Sequence, residues 1–400
     1  MTSRHVTLPA GFRAAGVACG IKGSGNPDVA IVAADRDAAA AMVTTRNQVV
    51  GAPVIRNRRV LPKGYGRVRA IVINAGNANV CTGKAGLRDA DAMAARTARL
   101  LGTDPDKVLV ASTGIIGHRL EMGKVGRGIA AAVDELGTRN DSAALRAIMT
   151  TDTREKSAVV QTLIDRKPVT VAGMAKGSGM IAPSMATMIS VITTDVAIRP
   201  SALRKALAEA VAVSFNAVTV DSDTSTSDTV VVLASGLAGN TALTARSGGY
   251  RKFAATLKEV CVELARQIAA DGEGATKVIE IAVRGARNDA EAEIAAKAVA
   301  NSPLVKCAVH GCDPNWGRIV AALGKSAAKI DPDALRVKIG RTTVFSRGGP
   351  RPFDAKKVSK YLAADSVLVT CDLGLGRGVF TALTCDLSRE YITINADYHT

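Results

Sequence analysis

Lys176-Gly-Ser-Gly-Met-Ile-Ala-Pro-Ser-Met-Ala-Thr187-Met188 is the stretch on which the reading of this chain turns. Before Thr187 the residues are small or turn-forming. After it, Met188-Ile-Ser-Val-Ile-Thr-Thr194 is apolar and β-branched, the pattern of a buried strand. Thr187 therefore stands at the head of a strand, behind a tight glycine-rich approach. A threonine hydroxyl is a weak nucleophile unless a base adjoins it, and the free amine of an N-terminal threonine is such a base. Cutting the chain between Ala186 and Thr187 would create that amine. An α-amino group titrates at roughly pH 8, so a useful fraction is neutral near pH 7 and able to take a proton. One residue would then supply both nucleophile and base.

Working outward, short apolar runs alternate with alanine-rich stretches, which makes this a mixed α/β (α+β) chain. Strands are expected at Arg69–Ile73, Val108–Ala111, Pro168–Val171, Thr229–Leu233, Lys277–Val283 and Ser366–Thr370, each bounded by Gly, Pro, Asn or Asp. Helices are expected between them. The clearest spans Tyr250 to Ala270, where Phe253, Leu257, Val260, Cys261, Leu264 and Ile268 recur at three- and four-residue spacing, and Asp271-Gly272 ends it. Others run from Ala85 to Leu101 and from Asp289 through Val299. Ala242–Gly249 and Ser346–Pro352, rich in small residues, read as exposed loops.

The composition narrows the function. With 400 residues, 47% of them hydrophobic, the chain can build a large core in two or three domains. Aromatic residues make up only 3%, so layers must pack through small side chains. The N-terminus lacks the apolar core of a signal peptide and no long apolar run occurs, so a soluble cytoplasmic protein, not a membrane protein, is expected. The net charge of +16 raises the question of nucleic acid, but the charges are scattered. Arg56-Asn-Arg-Arg59, the one dense cluster, lacks interleaved aromatics and reads as a solvated face. Seven cysteines include no Cys-x-x-Cys pair and read as reduced thiols. Cys307, His310, Cys312 and Asp313 lie close in sequence, yet too few ligands gather at a usable spacing for a metal site.

Two nucleotide-binding spellings fail on inspection. Gly177-Ser-Gly179-Met-Ile-Ala182 meets Pro183 where a helix should continue, and Gly324-Lys-Ser326 has isoleucine at position 319 where a phosphate loop needs glycine. Asp221-Ser-Asp-Thr-Ser-Thr-Ser-Asp-Thr229, dense in hydroxyls and carboxylates, reads as an ordered turn. Ser112-Thr-Gly-Ile-Ile-Gly117 follows a predicted strand, and the glycine would let a backbone amide approach a substrate closely, which makes Thr113 and Gly114 candidates for an oxyanion hole. Lys176 can pair with a carboxylate, and Glu273, in a glycine-flanked turn at a helix end, can accept an amine.

Around Thr187 the chain resembles the ornithine acetyltransferase family, bifunctional enzymes of arginine biosynthesis that cut themselves before the threonine of a Lys-Gly-x-Gly-Met-x-x-Pro-x-(Met/Leu)-Ala-Thr motif. The resemblance runs from Gly16-Val-Ala-Cys-Gly-Ile-Lys22 and Asn74-Ala-Gly-Asn-Ala-Asn79 to Asn315-Trp-Gly-Arg318 and Asn395-Ala-Asp-Tyr-His-Thr400. It implies a two-layered β-sheet core between helical layers. It also implies a cut into an alpha chain, 1–186, and a beta chain, 187–400, that stay together as an α2β2 heterotetramer.

The resemblance carries roles as well. Thr187 would be the nucleophile, Thr113 and Gly114 the oxyanion hole, and Thr150, Lys176, Glu273, Asn395 and Thr400 substrate-binding residues. The segment around Cys307 would be structural. The implied reaction moves an acetyl group from N²-acetylornithine to glutamate by a ping-pong route, with no cofactor; acetyl-CoA as a second donor is left open by these residues. An alternative keeps the same threonine and uses water as acceptor, giving a self-cleaving amidohydrolase or aminopeptidase. A non-catalytic basic binding protein would instead remain uncut. Many family members carry Asn where Ser184 and Ser227 stand, so fine substrate preference is not fixed by the motif.

The cut is directly measurable. The denaturing mass of purified protein should show two fragments meeting at Ala186-Thr187, with an acetyl group on the second after incubation with N²-acetylornithine. A single unmodified chain would remove the proposed base.

Overall fold

The computed structural model describes residues 4–182 and 188–397. The first part of the chain builds one sheet from β1 (Phe12–Val17), β2 (Val29–Thr44), β3 (Tyr65–Asn77), β4 (Val108–Ile115), β5 (Lys156–Ile164), β6 (Lys167–Lys176), β7 (Ile189–Thr194) and β8 (Thr229–Ala234). Its order is β4-β3-β2-β8-β7-β6-β5, with β1 paired to β2. The β3/β4 and β7/β8 pairs are parallel and the others antiparallel. Helices α1 (Ala52–Val60), α2 (Gly83–Leu101), α3 (Met122–Asp134), α4 (Asp141–Ile148), α5 (Pro200–Ala212) and α6 (Tyr250–Ala270) accompany it.

The length of β2 shapes this sheet. Its register against β3 shifts between Ala33 and Ala38, a bulge that bends both strands. Alternate residues of β2 then feed three cores. Val29, Ile31 and Ala33 pack under α2 and α3, with Val72, Met93 and Ile129. Ala39 and Ala41 pack under α5 and α6, with Leu207, Phe253 and Leu264. The residues between them, Ala30, Val32, Ala38 and Ala40, meet Ile71, Leu109, Met174 and Val231 in an inner core that both halves of the sheet share with α4. Helical cover, sheet, inner core, sheet and helical cover thus follow one another. The abundance of alanine lets these layers approach closely, since a well-packed interior leaves little void.

The second sheet is smaller: β9 (Val278–Ala286), β10 (Arg336–Ile339), β11 (Thr342–Ser346), β12 (Gly349–Pro350), β13 (Ser366–Asp372) and β14 (Gly378–Cys385), in the order β12-β11-β10-β13-β9-β14. Helices α7 (Asp289–Ala300), α8 (Pro303–His310), α9 (Trp316–Gly324) and α10 (Ala355–Leu362) complete its own core, and α11 (Arg389–Asp397) ends the described chain. The side chain of Asn288 caps α7 by accepting the Glu291 amide, and Asn315 caps α9 through Arg318. Trp316 stacks on Phe345, so the Asn315–Arg318 motif is part of this core.

The expected strands and helices coincide with observed ones, except that β9 and β7 begin one residue later than expected, at Val278 and Ile189. Ser346–Pro352 is the expected exposed loop, but its Gly349–Pro350 forms the short strand β12, paired to Ser346 and Phe345. The two cores do not divide the chain at Ala186-Thr187. In sequence that bond falls between β6 and β7, antiparallel neighbours in the first sheet whose ladder runs from Val171↔Thr194 to Lys176↔Ile189.

Phe253 is fully buried in the core under α6, whereas Leu304 is 60% exposed. Phe253→Ala should destabilise the fold by about 3–5 kcal/mol. Leu304→Ala should change it by no more than about 0.5 kcal/mol. Denaturant midpoints of the two variants measure the contrast.

Candidate active site

The carboxyl ends of β4 and β6 meet the loop after α4 and the turn after α6 around a cavity of about 140 Å³, lined by Thr113, Gly114, Thr150, Lys176, Glu273 and Asn395 among others. Every substrate or oxyanion residue expected from sequence that lies among the described residues is on this wall. Ala186, Thr187 and Thr400 lie outside the described residues.

Thr113 and Gly114 come from the end of β4. The pairing of β3 and β4 becomes irregular at Gly76-Asn77, and Gly114 adopts φ +128°, a conformation that favours glycine. A Cβ there would stand 2.3 Å from the Gly76 carbonyl carbon. The asparagine motif holds this corner. Asn74 Oδ1 accepts the Ser112 hydroxyl at 2.6 Å, Asn74 Nδ2 donates to the Asn77 carbonyl at 2.8 Å, and Asn77 Oδ1 accepts the Asn79 amide at 2.8 Å. Asn77 Nδ2 also donates to the carbonyls of His118 and Arg119, which fastens the loop beyond β4.

Lys176 ends β6 and is only 2% exposed. Its Nζ donates to Thr113 Oγ1 at 3.4 Å and lies 4.0 Å from Asp152 Oδ2. Burial pushes this ammonium below its ordinary pKa, and Asp152 opposes the fall. For Asp152 itself burial would raise the carboxyl, but Lys176 and Lys156 outweigh it and hold it down at about 2. Glu273 sits on the turn that follows α6. Its backbone amide donates to the Ser178 carbonyl at 3.0 Å, and its Oε2 accepts from Asn395 Nδ2 of α11 at 2.9 Å. A buried cation and a carboxylate thus share one small pocket.

The turn Asp221–Thr229 does more than its sequence suggested. Asp221 accepts the amides of Met180 and Ile181 at 2.7 and 2.8 Å, and burial pushes its carboxyl up to about 6. Asp228 Oδ1 accepts the Met188 amide at 2.9 Å, and burial pushes that carboxyl well above the usual carboxylate range. Both described flanks of residues 183–187 are therefore held by carboxyls of one loop. Sequence reasoning missed Asp152, Asp221, Asp228 and Asp271 as site-building residues. The density of acids between 221 and 228 was the available signal.

Other sequence features find structural uses. Arg56, read as part of a solvated face, is 2% exposed and donates to the Val108 and Pro105 carbonyls, while Arg58 donates to the Thr45 carbonyl. Arg56 packs α1 against β4, while Arg58 and Arg59 remain exposed as the solvated-face reading expected. His310 Nδ1 lies 2.7 Å from Asp386, and Lys277 Nζ lies 3.1 Å from Cys312 Sγ. Among the described residues no group of three or more His, Cys, Asp or Glu is placed to hold a metal, and no helix is long and apolar enough to cross a membrane.

Gly179 backs directly onto Glu273: a Cβ there would lie 2.3 Å from the carboxyl carbon. Gly179→Ala should therefore displace Glu273 and lower kcat/KM of the expected acetyl transfer on the order of 100-fold. Its circular dichroism spectrum should match that of the parent.

Comparison with known proteins gives a consistent answer. The ArgJ family model matches residues 13–400. The arginine biosynthesis bifunctional protein ArgJ of Symbiobacterium thermophilum is 48% identical over 397 residues, covering 99% of this chain and 98% of that one. The protein of the same name from Deinococcus radiodurans is 48% identical over 398 residues, with 99% and 98% covered. A crystal structure of the argJ bifunctional protein of Bacillus halodurans is 43% identical with a TM-score of 0.50, covering 52% of this chain and 97% of the solved one. Identity of this extent over the whole chain settles its descent: it belongs to the ArgJ family, whose curated members are bifunctional proteins of arginine biosynthesis.

Proposed function

We propose that this chain cuts itself between Ala186 and Thr187 and then moves an acetyl group from N²-acetylornithine to glutamate through an acetyl-threonine at Thr187. The observation that carries the reading is the pairing of Lys176 and Glu273 in one cavity beside Thr113 and Gly114. N²-acetylornithine carries an α-carboxylate and a cationic side-chain amine, and this pocket offers a partner of opposite charge to each. Thr150 and Asn395 supply neutral hydrogen-bonding groups on the same wall.

In the first half-reaction the Thr187 hydroxyl adds to the acetyl carbonyl and its own α-amine takes the proton. The oxyanion is stabilised by the Gly114 amide and the Thr113 hydroxyl. Lys176 favours that use of Thr113, because an ammonium has no lone pair to offer. With Lys176 donating to Oγ1, the threonine proton is left for another acceptor. Collapse of the intermediate breaks the acetyl C–N bond, the α-amine returns the proton to the leaving nitrogen, and ornithine departs. Glutamate then enters the same pocket, its amine attacks the acetyl-threonine ester, and N-acetylglutamate leaves. The scheme draws on no cofactor. Acetyl-CoA as an alternative acetyl donor would load the same threonine and release a free thiol.

The β6/β7 ladder supports the persistence of the two pieces as one assembly, since breaking the connection between two paired strands leaves their hydrogen bonds in place. The Bacillus halodurans chain supports the cut itself: 97% of it corresponds to 52% of this chain, about the length of one piece of a divided precursor. We place the assembled α2β2 enzyme in the cytoplasm, where its amino-acid substrates are.

Initial rates with both substrates varied test the scheme. Parallel double-reciprocal lines are expected, together with dependence of ornithine release on glutamate. Intersecting lines would require a ternary complex, and release unaffected by glutamate would favour the hydrolase alternative.

A further inference from the structure

Thr150, Lys176 and Glu273 come from three separate parts of the chain, and one buried charge cluster joins them. Asp152 Oδ1 accepts the Gly177 amide at 2.7 Å and Lys156 Nζ at 2.7 Å, while Oδ2 accepts the Thr150 amide at 3.0 Å and faces Lys176 Nζ. Lys156 also donates to Asp271, which begins the turn that carries Glu273. The Asp271 carbonyl in turn accepts the Ser178 hydroxyl at 2.6 Å. The side chains of Asp152, Lys156, Lys176 and Asp271 are at most 3% exposed.

We propose that Asp152 is a positioning residue for acetyl transfer, which fixes Thr150 and Gly177 through their amides and keeps Lys176 an ammonium inside a wall that would otherwise neutralise it. The proposal rests on the reading of Lys176 as partner of the substrate carboxylate. Burial disfavours the charged form of a lysine, and only a nearby ionised carboxylate restores it. The groups facing Lys176 are Asp152, Lys156 of β5, Asp228 before β8, Glu273 after α6, and Lys22 after β1. Burial pushes the Asp228 carboxyl well above the usual carboxylate range, which makes it a weaker partner of Lys176 than Asp152. Glu273 is engaged by Asn395 and, in the complex, by the substrate amine. Lys156 and Lys22 oppose the charge. Asp152 is therefore the carboxylate on which the Lys176 charge depends.

The test reads charge and binding separately. Protein labelled with ¹⁵N at the lysine side chains should show Lys176, assigned by the signal lost in Lys176→Met, as an ammonium at pH 7.5. In Asp152→Asn it should be a neutral amine. The KM for N²-acetylornithine of that variant should rise about tenfold or more between pH 6.5 and 8.5, beyond any rise in the parent, since a shift of one pKa unit is a tenfold change in the charged fraction once the group is mostly neutral. KM is compared with the parent over the same range because the Thr187 amine titrates there and enters both enzymes alike. Asp152→Glu, which keeps the charge, should restore the ammonium signal and the parental KM profile, and it carries the test if Asp152→Asn does not fold. A neutral Lys176 in the parent overturns the proposal, as does an ammonium that persists in Asp152→Asn. A neutral Lys176 with unchanged KM would keep the role of Asp152 and remove Lys176 from carboxylate binding.

Discussion

The buried pairing of Lys156 with Asp152 and Asp271 is the constraint on which the site depends. A charge taken out of water is costly unless it is paired and its remaining hydrogen bonds are met, and removing one partner from such a pair typically costs about 3–5 kcal/mol. Here that requirement does geometric work. Lys156 starts β5, Asp152 belongs to the loop after α4, and Asp271 caps α6. None of the three can move without stranding a charge, so the loop with Thr150, the end of β6 with Lys176 and the turn with Glu273 are held in one relation. Hydrophobic layers alone would not fix it, because apolar contacts are not directional.

The same logic explains why the pocket is small and polar inside an alanine-rich fold. Closely packed layers leave little room between sheet and helix, and the cavity opens only where strands end and loops take over. The left-handed backbone at Gly114 lets the end of β4 pass close to Gly76 of β3, where the register of that pair becomes irregular. Side-chain hydrogen bonds from Asn74, Asn77 and Asn79 replace the sheet ladder where it gives out. The irregularity at Gly76-Asn77 lies beside the site.

Much of this was legible in the sequence. Period-three-and-four apolar spacing placed α6 closely, because one stripe of six apolar side chains has no other way to be buried together. Lys176 and Glu273 could be named as candidates from their charge and neighbouring glycines, and both line the pocket. The supporting carboxylates could not. Asp152 and Asp271 are ordinary loop acids until folding places Lys156 between them, and Asp228 gains its significance from the Met188 amide across a long separation. Arg56 was misread for the same reason: charge density along the chain says nothing about which carbonyls the folded backbone presents. Ser346–Pro352 carries the small residues of a loop and is one, but a two-residue strand within it could not be foreseen from composition.

The position of residues 177–188 ties fold to chemistry. They connect antiparallel neighbours in a sheet, where a short hairpin turn would have sufficed, and long connections inside compact domains are uncommon without a function. What lies on either side is held firmly: Met180 and Ile181 by Asp221, Met188 by Asp228, Gly177 by Asp152. A peptide bond to be broken in this segment can therefore be presented by anchors that do not depend on the bond itself. The β6/β7 ladder and the carboxyl contacts at Met180, Ile181 and Met188 do not run through that bond, so the proposed cleavage would leave the pocket of Lys176 and Glu273 common to the precursor and its product. In the proposed scheme self-cleavage and acetyl transfer would share one oxyanion site at Thr113-Gly114, since each would begin with the same hydroxyl adding to a carbonyl.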